Sequence, residues 1–213
     1  MTLPTPGRRT LATLVLVGAS LQTFAASSGA VQAPERPPYW RERTSFFHTF
    51  GHRADVVMVG DSLTDGVLAR LDDVLGIKPK VVFLMIGIND FAEATRSVDA
   101  VFATYRSIVS RLERGGIRVV VQSTLPCNET KGAWKSCSTI NGKILQLNAR
   151  LATLAAARVS YVDLLPVLAA RSGLRDEFTY DGVHLNGDGY QRWKDAITRF
   201  MPRPPEKTQG SVP

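Results

Sequence analysis

Histidine and cysteine are scarce in this chain, with three of the first and two of the second among 213 residues. No Cys-x-x-Cys pair and no cluster of histidines is present, so no metal-ligand spacing stands out. There is no Gly-Lys-Ser/Thr P-loop and no G-x-G-x-x-G fingerprint, which leaves a phosphate- or nucleotide-binding reading with little more than a helix start to rest on. Aromatics make up only 8% of the residues. The formal charge is +7, but its arginines are spread through amphipathic stretches such as "RSIVSRLERGGIR", and no basic stripe carries interleaved aromatics. That excludes nucleic acid as a partner. No internal repeat or second domain is visible. The longest apolar run, Leu11 to about Ala26, is broken by Gly18, Ser20, Gln22 and Thr23, and is short for a membrane span.

Acidic residues are absent from the first 33 positions, where Arg8 and Arg9 precede the apolar run and small residues follow it. That order is expected of a cleavable bacterial-type export leader, and "RRTLA" is also like a twin-arginine motif. The expected organisation is a leader and linker over 1–33, one domain over 34–201 and a frayed tail over 202–213. The expected location is the periplasm or the outside of the cell. Cys127 and Cys137 stand ten apart in a polar loop. In an exported protein a disulfide closing that loop is the natural reading, with free thiols as the alternative.

Within the domain, strand and helix patterns alternate. Apolar runs at 55–60, 80–87, 117–124 and 159–164 fit strands covered on both faces. Leu68, Leu71 and Leu75 mark a short helix. Longer ones are marked by Val98 to Leu112, by Ile140 to Leu154, and by Tyr190, Trp193, Ile197 and Phe200. Strands alternating with helices imply a parallel sheet with helices on both faces, with the functional site at the carboxyl ends of the strands. That rule selects loops 61–66, 87–92 and 124–138. Trp134 and the cysteines are expected to rim the site from the third.

Each loop carries residues fit for acyl chemistry. Ser62, in "VVMVGDSLTDG", follows a strand and precedes a helix. A serine there becomes a nucleophile if a base reaches it, and otherwise Asp61 or Ser62 caps the helix. The residue two after Ser62 is Thr64, so this is not a G-x-S-x-G elbow. Asn89, in "IGIND", can donate to an oxyanion, or Asn89 or Asp90 can simply form a turn. In "YDGVHLNGDGY", His184 follows Asp181 by three residues, a spacing that lets the carboxylate fix the imidazole tautomer. His48 and His52 are four apart in an arginine-rich stretch and read as a surface helix rather than a metal pair.

Together "VVMVGDSLTDG", "VVFLMIGINDF" and "DGVHLNGDGY" resemble the motif blocks of the SGNH hydrolases, also called GDSL esterases and lipases, over residues 54–200. The stretch "IKPKVVFLMIGIND" is similar to the acetylhydrolase-like branch. The resemblance implies a flavodoxin-like three-layer α/β/α sandwich and a serine esterase without metal or organic cofactor. Ser62 would be the nucleophile, His184 the base, Asp181 its orienting acid and Asn89 an oxyanion donor. The substrate would be an acyl ester of a small molecule, lipid or glycan.

One block of the family is missing. Ser62 and Val81 are only 19 positions apart, and a helix over about 66–76 fills most of them. No room remains for the strand whose glycine loop supplies a further oxyanion donor. The sheet is therefore expected to have about four strands, one fewer than the family, with an uncovered edge and an opened core. The alternative function is a weak or silent carbohydrate- or lipid-binding relative.

Overall fold

The computed structural model describes residues 12–15, 54–60, 63–92, 96–131, 134, 136–171 and 173–202. All four expected strands are present: β2 (Val56–Gly60), β3 (Val81–Met85), β4 (Arg118–Gln122) and β5 (Val159–Val162). They pair in sequence order and all in parallel. A fifth short strand, β1 (Ala12–Val15), pairs in parallel with β2 on its outer edge, with Val15 opposite Gly60. It lies in the stretch expected to be an export leader. A short run of Leu, Val and Thr satisfies the pattern of either, because both need only an apolar segment without charge. His48 and His52 fall outside the described residues.

Alternation along the strands divides the core in two. Val57, Val59, Val82, Leu84, Val119 and Val121 face one layer of helices. That layer comprises α1 (Thr64–Ala69), α2 (Leu71–Ile77), α4 (Val98–Arg114) and α5 (Cys137–Leu151). Val56, Val81, Phe83, Val120 and Val162 face the other, formed around α6 (Leu165–Leu168) and α7 (Gly187–Ile197). The structure is thus three layers, helices on both faces of a parallel sheet. Among the described residues no helix is long and apolar enough to cross a membrane.

The stretch after Ser62 differs in detail from the expected single helix. It holds two helices that meet at Arg70, whose φ of −109° and ψ of 7° depart from helical values. The buried apolar positions are Val67, Leu71 and Val74, with Thr64 buried beside them, while Leu68 and Leu75 are only partly covered. Residues 63–80 contain no strand, as the short spacing requires. The edge that this leaves beside β2 is the one that β1 occupies.

Candidate active site

β3 ends sooner than its apolar run. Backbone groups of Ile86 turn away from the sheet to side chains: its N–H donates to the Tyr105 hydroxyl at 2.9 Å, and its carbonyl accepts from Tyr105 at 2.8 Å and from Thr124 Oγ1 at 2.7 Å. Burial pushes the Tyr105 phenol well up, keeping it a neutral donor and acceptor. Gly87 then takes φ +116°, which residues with a Cβ rarely adopt. An added Cβ would also stand 3.1 Å from Leu147 Cδ2. This turn starts α3 (Ile88–Ala92), with partly buried Asn89 as its second residue.

Asp90 beside it is fully buried. Its carboxylate accepts from the Thr64 backbone N–H (3.0 Å to Oδ2), the Thr64 hydroxyl (2.8 Å to Oδ1) and Arg96 (2.9 Å). Arg96 also pairs with Asp65 at 2.9 Å. Burial pushes the Asp90 carboxyl up, opposed by the Thr64 donors and the guanidinium. The network ties the first turn of α1, two residues past Ser62, to the helix that carries Asn89. Ser62 itself lies outside the described residues. Gly60 ends β2 before it and Leu63 precedes α1 after it.

Asp181 and His184 come together as the spacing suggests. Asp181 Oδ1 accepts from the backbone N–H groups of Val183 (2.9 Å) and His184 (2.8 Å), and Oδ2 lies 2.6 Å from His184 Nδ1. Slight burial pushes the Asp181 carboxyl up, but the imidazole bond and the two backbone donors outweigh it and hold it at about 2. Gly182, at φ +88°, closes the turn between them against Asn128 and Lys131.

Cys127 and Cys137 form a disulfide with Cα atoms 5.9 Å apart. Thr124 and Leu125, at the start of the expected loop, line the cavity described below, whereas the described residues from Cys127 to Lys131 support the histidine turn. Asn128 N–H donates to Gly182 O at 2.7 Å, Asn128 Nδ2 to Asp176 Oδ1 at 2.7 Å, and Lys131 Nζ to Thr179 O at 2.6 Å. Trp134 packs against the α1, α2, α4 and α5 side of the core. The loop is pinned in turn by α5, where Asn141 exchanges two hydrogen bonds of 2.9 Å with the Cys127 backbone. Asn148 does the same with Thr124, at 2.8 and 2.9 Å.

A cavity of about 210 Å³ opens at the carboxyl ends of β2, β3 and β4. Gly60, Gly87, Ile88 and His184 all line it. The end of β2, the start of the 87–92 loop, the start of the 124–138 loop and the candidate base His184 thus meet at one place, with Ser62 two positions beyond Gly60 in the sequence. Sequence reasoning missed Asp90 and Arg96, which were separable from turn formers only by their burial. It also missed Asn141 and Asn148. Their signal was available: polar amides seven apart on the apolar stripe of a helix.

Solved structures are similar to this chain. A putative platelet activating factor from Streptococcus pneumonia matches with TM-score 0.65 and 21% identity, over 76% of this chain and 91% of that one. A putative acylhydrolase from Bacteroides fragilis matches with TM-score 0.58 and 26% identity, over 76% and 79%. A carbohydrate esterase family 3 protein from Talaromyces cellulolyticus matches with TM-score 0.52 and 19% identity, over 66% and 69%. No curated protein matches. The family model described as GDSL-like lipase/acylhydrolase matches residues 24–192, most of the length, and the chain belongs to that family.

Proposed function

We propose that this chain performs the family's ester hydrolysis as an exported serine esterase, with Ser62, His184 and Asp181 as a triad and Asn89 as an oxyanion donor. The observation that carries the reading is the 2.6 Å contact from Asp181 Oδ2 to His184 Nδ1, in a residue that lines the cavity. A carboxylate on Nδ1 keeps the ring proton there and makes Nε2 the basic nitrogen. Ser62 Oγ attacks the ester carbonyl carbon as Nε2 takes its proton. The tetrahedral oxyanion accepts from the Asn89 amide and from backbone N–H groups near the start of α1. Collapse expels the alcohol, which receives the proton from His184. Water then repeats the sequence on the acyl-enzyme and releases the acid. The Cys127–Cys137 disulfide suits an oxidising compartment, periplasmic or extracellular.

The test is hydrolysis of p-nitrophenyl acetate by the purified chain beside Ser62→Ala. Loss of nearly all activity in the variant is expected, and equal rates would remove the nucleophile. A second reading draws on the lack of a strand within residues 63–80, which removes the family's further oxyanion glycine. The esterase is then slower than an intact relative by roughly 10²–10³-fold, the usual cost of one donor. In the limiting case the chain is a silent lipid or carbohydrate binder. Labelling of Ser62 by a fluorophosphonate separates the two, because only the enzyme is labelled.

A further inference from the structure

Met58, Phe83 and Met85 line one wall of the cavity from the sheet. α7 covers the neighbouring part of that sheet face, and between them lies the cavity, lined also by Leu125, Leu185 and Trp193. Most of the described wall is apolar, and two of its polar side chains are engaged with the protein. Gln122 Oε1 accepts from Trp193 Nε1 at 2.6 Å, and Thr124 Oγ1 donates to Ile86 O at 2.7 Å. A hydroxyl-rich occupant would bury most of its polar groups there against apolar side chains, which is costly. A hydrocarbon chain would not.

The cavity is continuous with the candidate catalytic residues, since His184 and Gly60 line it. Its floor is the sheet itself, where Phe83 is fully buried. Of the two halves of an ester, the acyl half stays attached to the serine until water releases it, whereas the alcohol must depart first. A recess floored by the core suits the half that stays.

We propose that this cavity binds the acyl chain of the substrate and makes the enzyme selective for medium-length straight-chain acyl esters. The proposal rests on the esterase reading. Each further methylene that enters the cavity raises kcat/KM by about fourfold until the space is full. Acetyl esters gain nothing from it.

The experiment compares kcat/KM for p-nitrophenyl octanoate and p-nitrophenyl acetate in the wild type and in Met58→Phe and Met85→Phe, with thermal melts of each variant to select those that fold. Both substitutions narrow the cavity without touching His184. The wild type is expected to favour octanoate by at least about tenfold, and the octanoate-to-acetate ratio is expected to fall about tenfold or more in a folded variant. A wild type without octanoate preference, or a ratio unmoved in the variants, overturns the acyl pocket while leaving the esterase reading intact. If no ester is hydrolysed, the esterase reading fails instead. Titration with octanoate then decides the pocket by Trp193 fluorescence, with a Trp193→Phe control to assign the signal. Saturable change that weakens about tenfold or more in the narrowed variants supports it. No change overturns it and leaves the cavity to another occupant, such as a segment of the chain itself.

Discussion

At the scale of single residues, two carboxylates near the candidate site have opposite environments. Asp181 is about half exposed, 45% by side chain, and is held ionised by its three donors. Asp90 is fully buried and works as a clamp. Asp181→Asn leaves the bond to the backbone possible but removes the charge that fixes the imidazole tautomer, so kcat should fall by roughly 10²–10⁴ with little change in KM. Steady-state kinetics on p-nitrophenyl esters check this. The folded carboxyl sits at about 2 against an ordinary 3.8. Its contribution to stability is therefore present above about pH 4 and fades as the pH falls through about 2. Urea unfolding of the wild type and Asp181→Asn should show a small stability gap at neutral pH that closes on acidification, small because solvent screens so exposed a group. Asp90→Asn weakens the bond to Arg96 and leaves fewer acceptors for Thr64. About 2–3 kcal/mol of stability should be lost, seen as a lower urea midpoint.

At the scale of elements, the strands and the long helices were legible because their patterns are local. Val98 to Leu112 reads as a helix at its own periodicity and is one. What sequence could not show was where each strand stops. β3 ends at Met85 because Tyr105 and Thr124, 19 and 38 positions on, take the backbone groups of Ile86. β1 was hidden for a different reason: its segment has the composition of a leader, and pairing with β2 is a long-range event. Of the proposed site, the Asp181–His184 contact was legible from its spacing, while Ser62 lies outside the described residues. Ser62, Asn89, Asp181 and His184 could be read as a set, whereas the clamp and the two buried asparagines act through contacts formed only in the fold. Deleting residues 1–30, as cleavage of the proposed leader would, should remove β1 and open the outer edge of β2. A loss of about 1–3 kcal/mol is expected from a few ladder hydrogen bonds, with a greater tendency to self-associate. Chemical denaturation and light scattering on the two chains measure both effects.

At the scale of the whole molecule, the loop from Thr124 to Lys131 joins regions that the sheet keeps apart. α5, on one face, holds it through Asn141 and Asn148, and the turn bearing Asp181 and His184 leans on its other side. Closing the Cys127–Cys137 loop, ten residues apart in sequence, should be worth about 3 kcal/mol. Reduction should lower the melting temperature. It should also lower kcat in samples that remain folded, because the base loses its support before the core melts. Cys127→Ser with Cys137→Ser should reproduce both changes and make the protein indifferent to reductant.

If the chain is exported as proposed, the disulfide also sets an order of events. A newly made chain in a reducing cytosol carries the same serine and histidine but an unfastened buttress under the histidine. Its esterase activity would mature only after transfer to an oxidising space. The cell's own acyl esters would then be spared from the enzyme by timing.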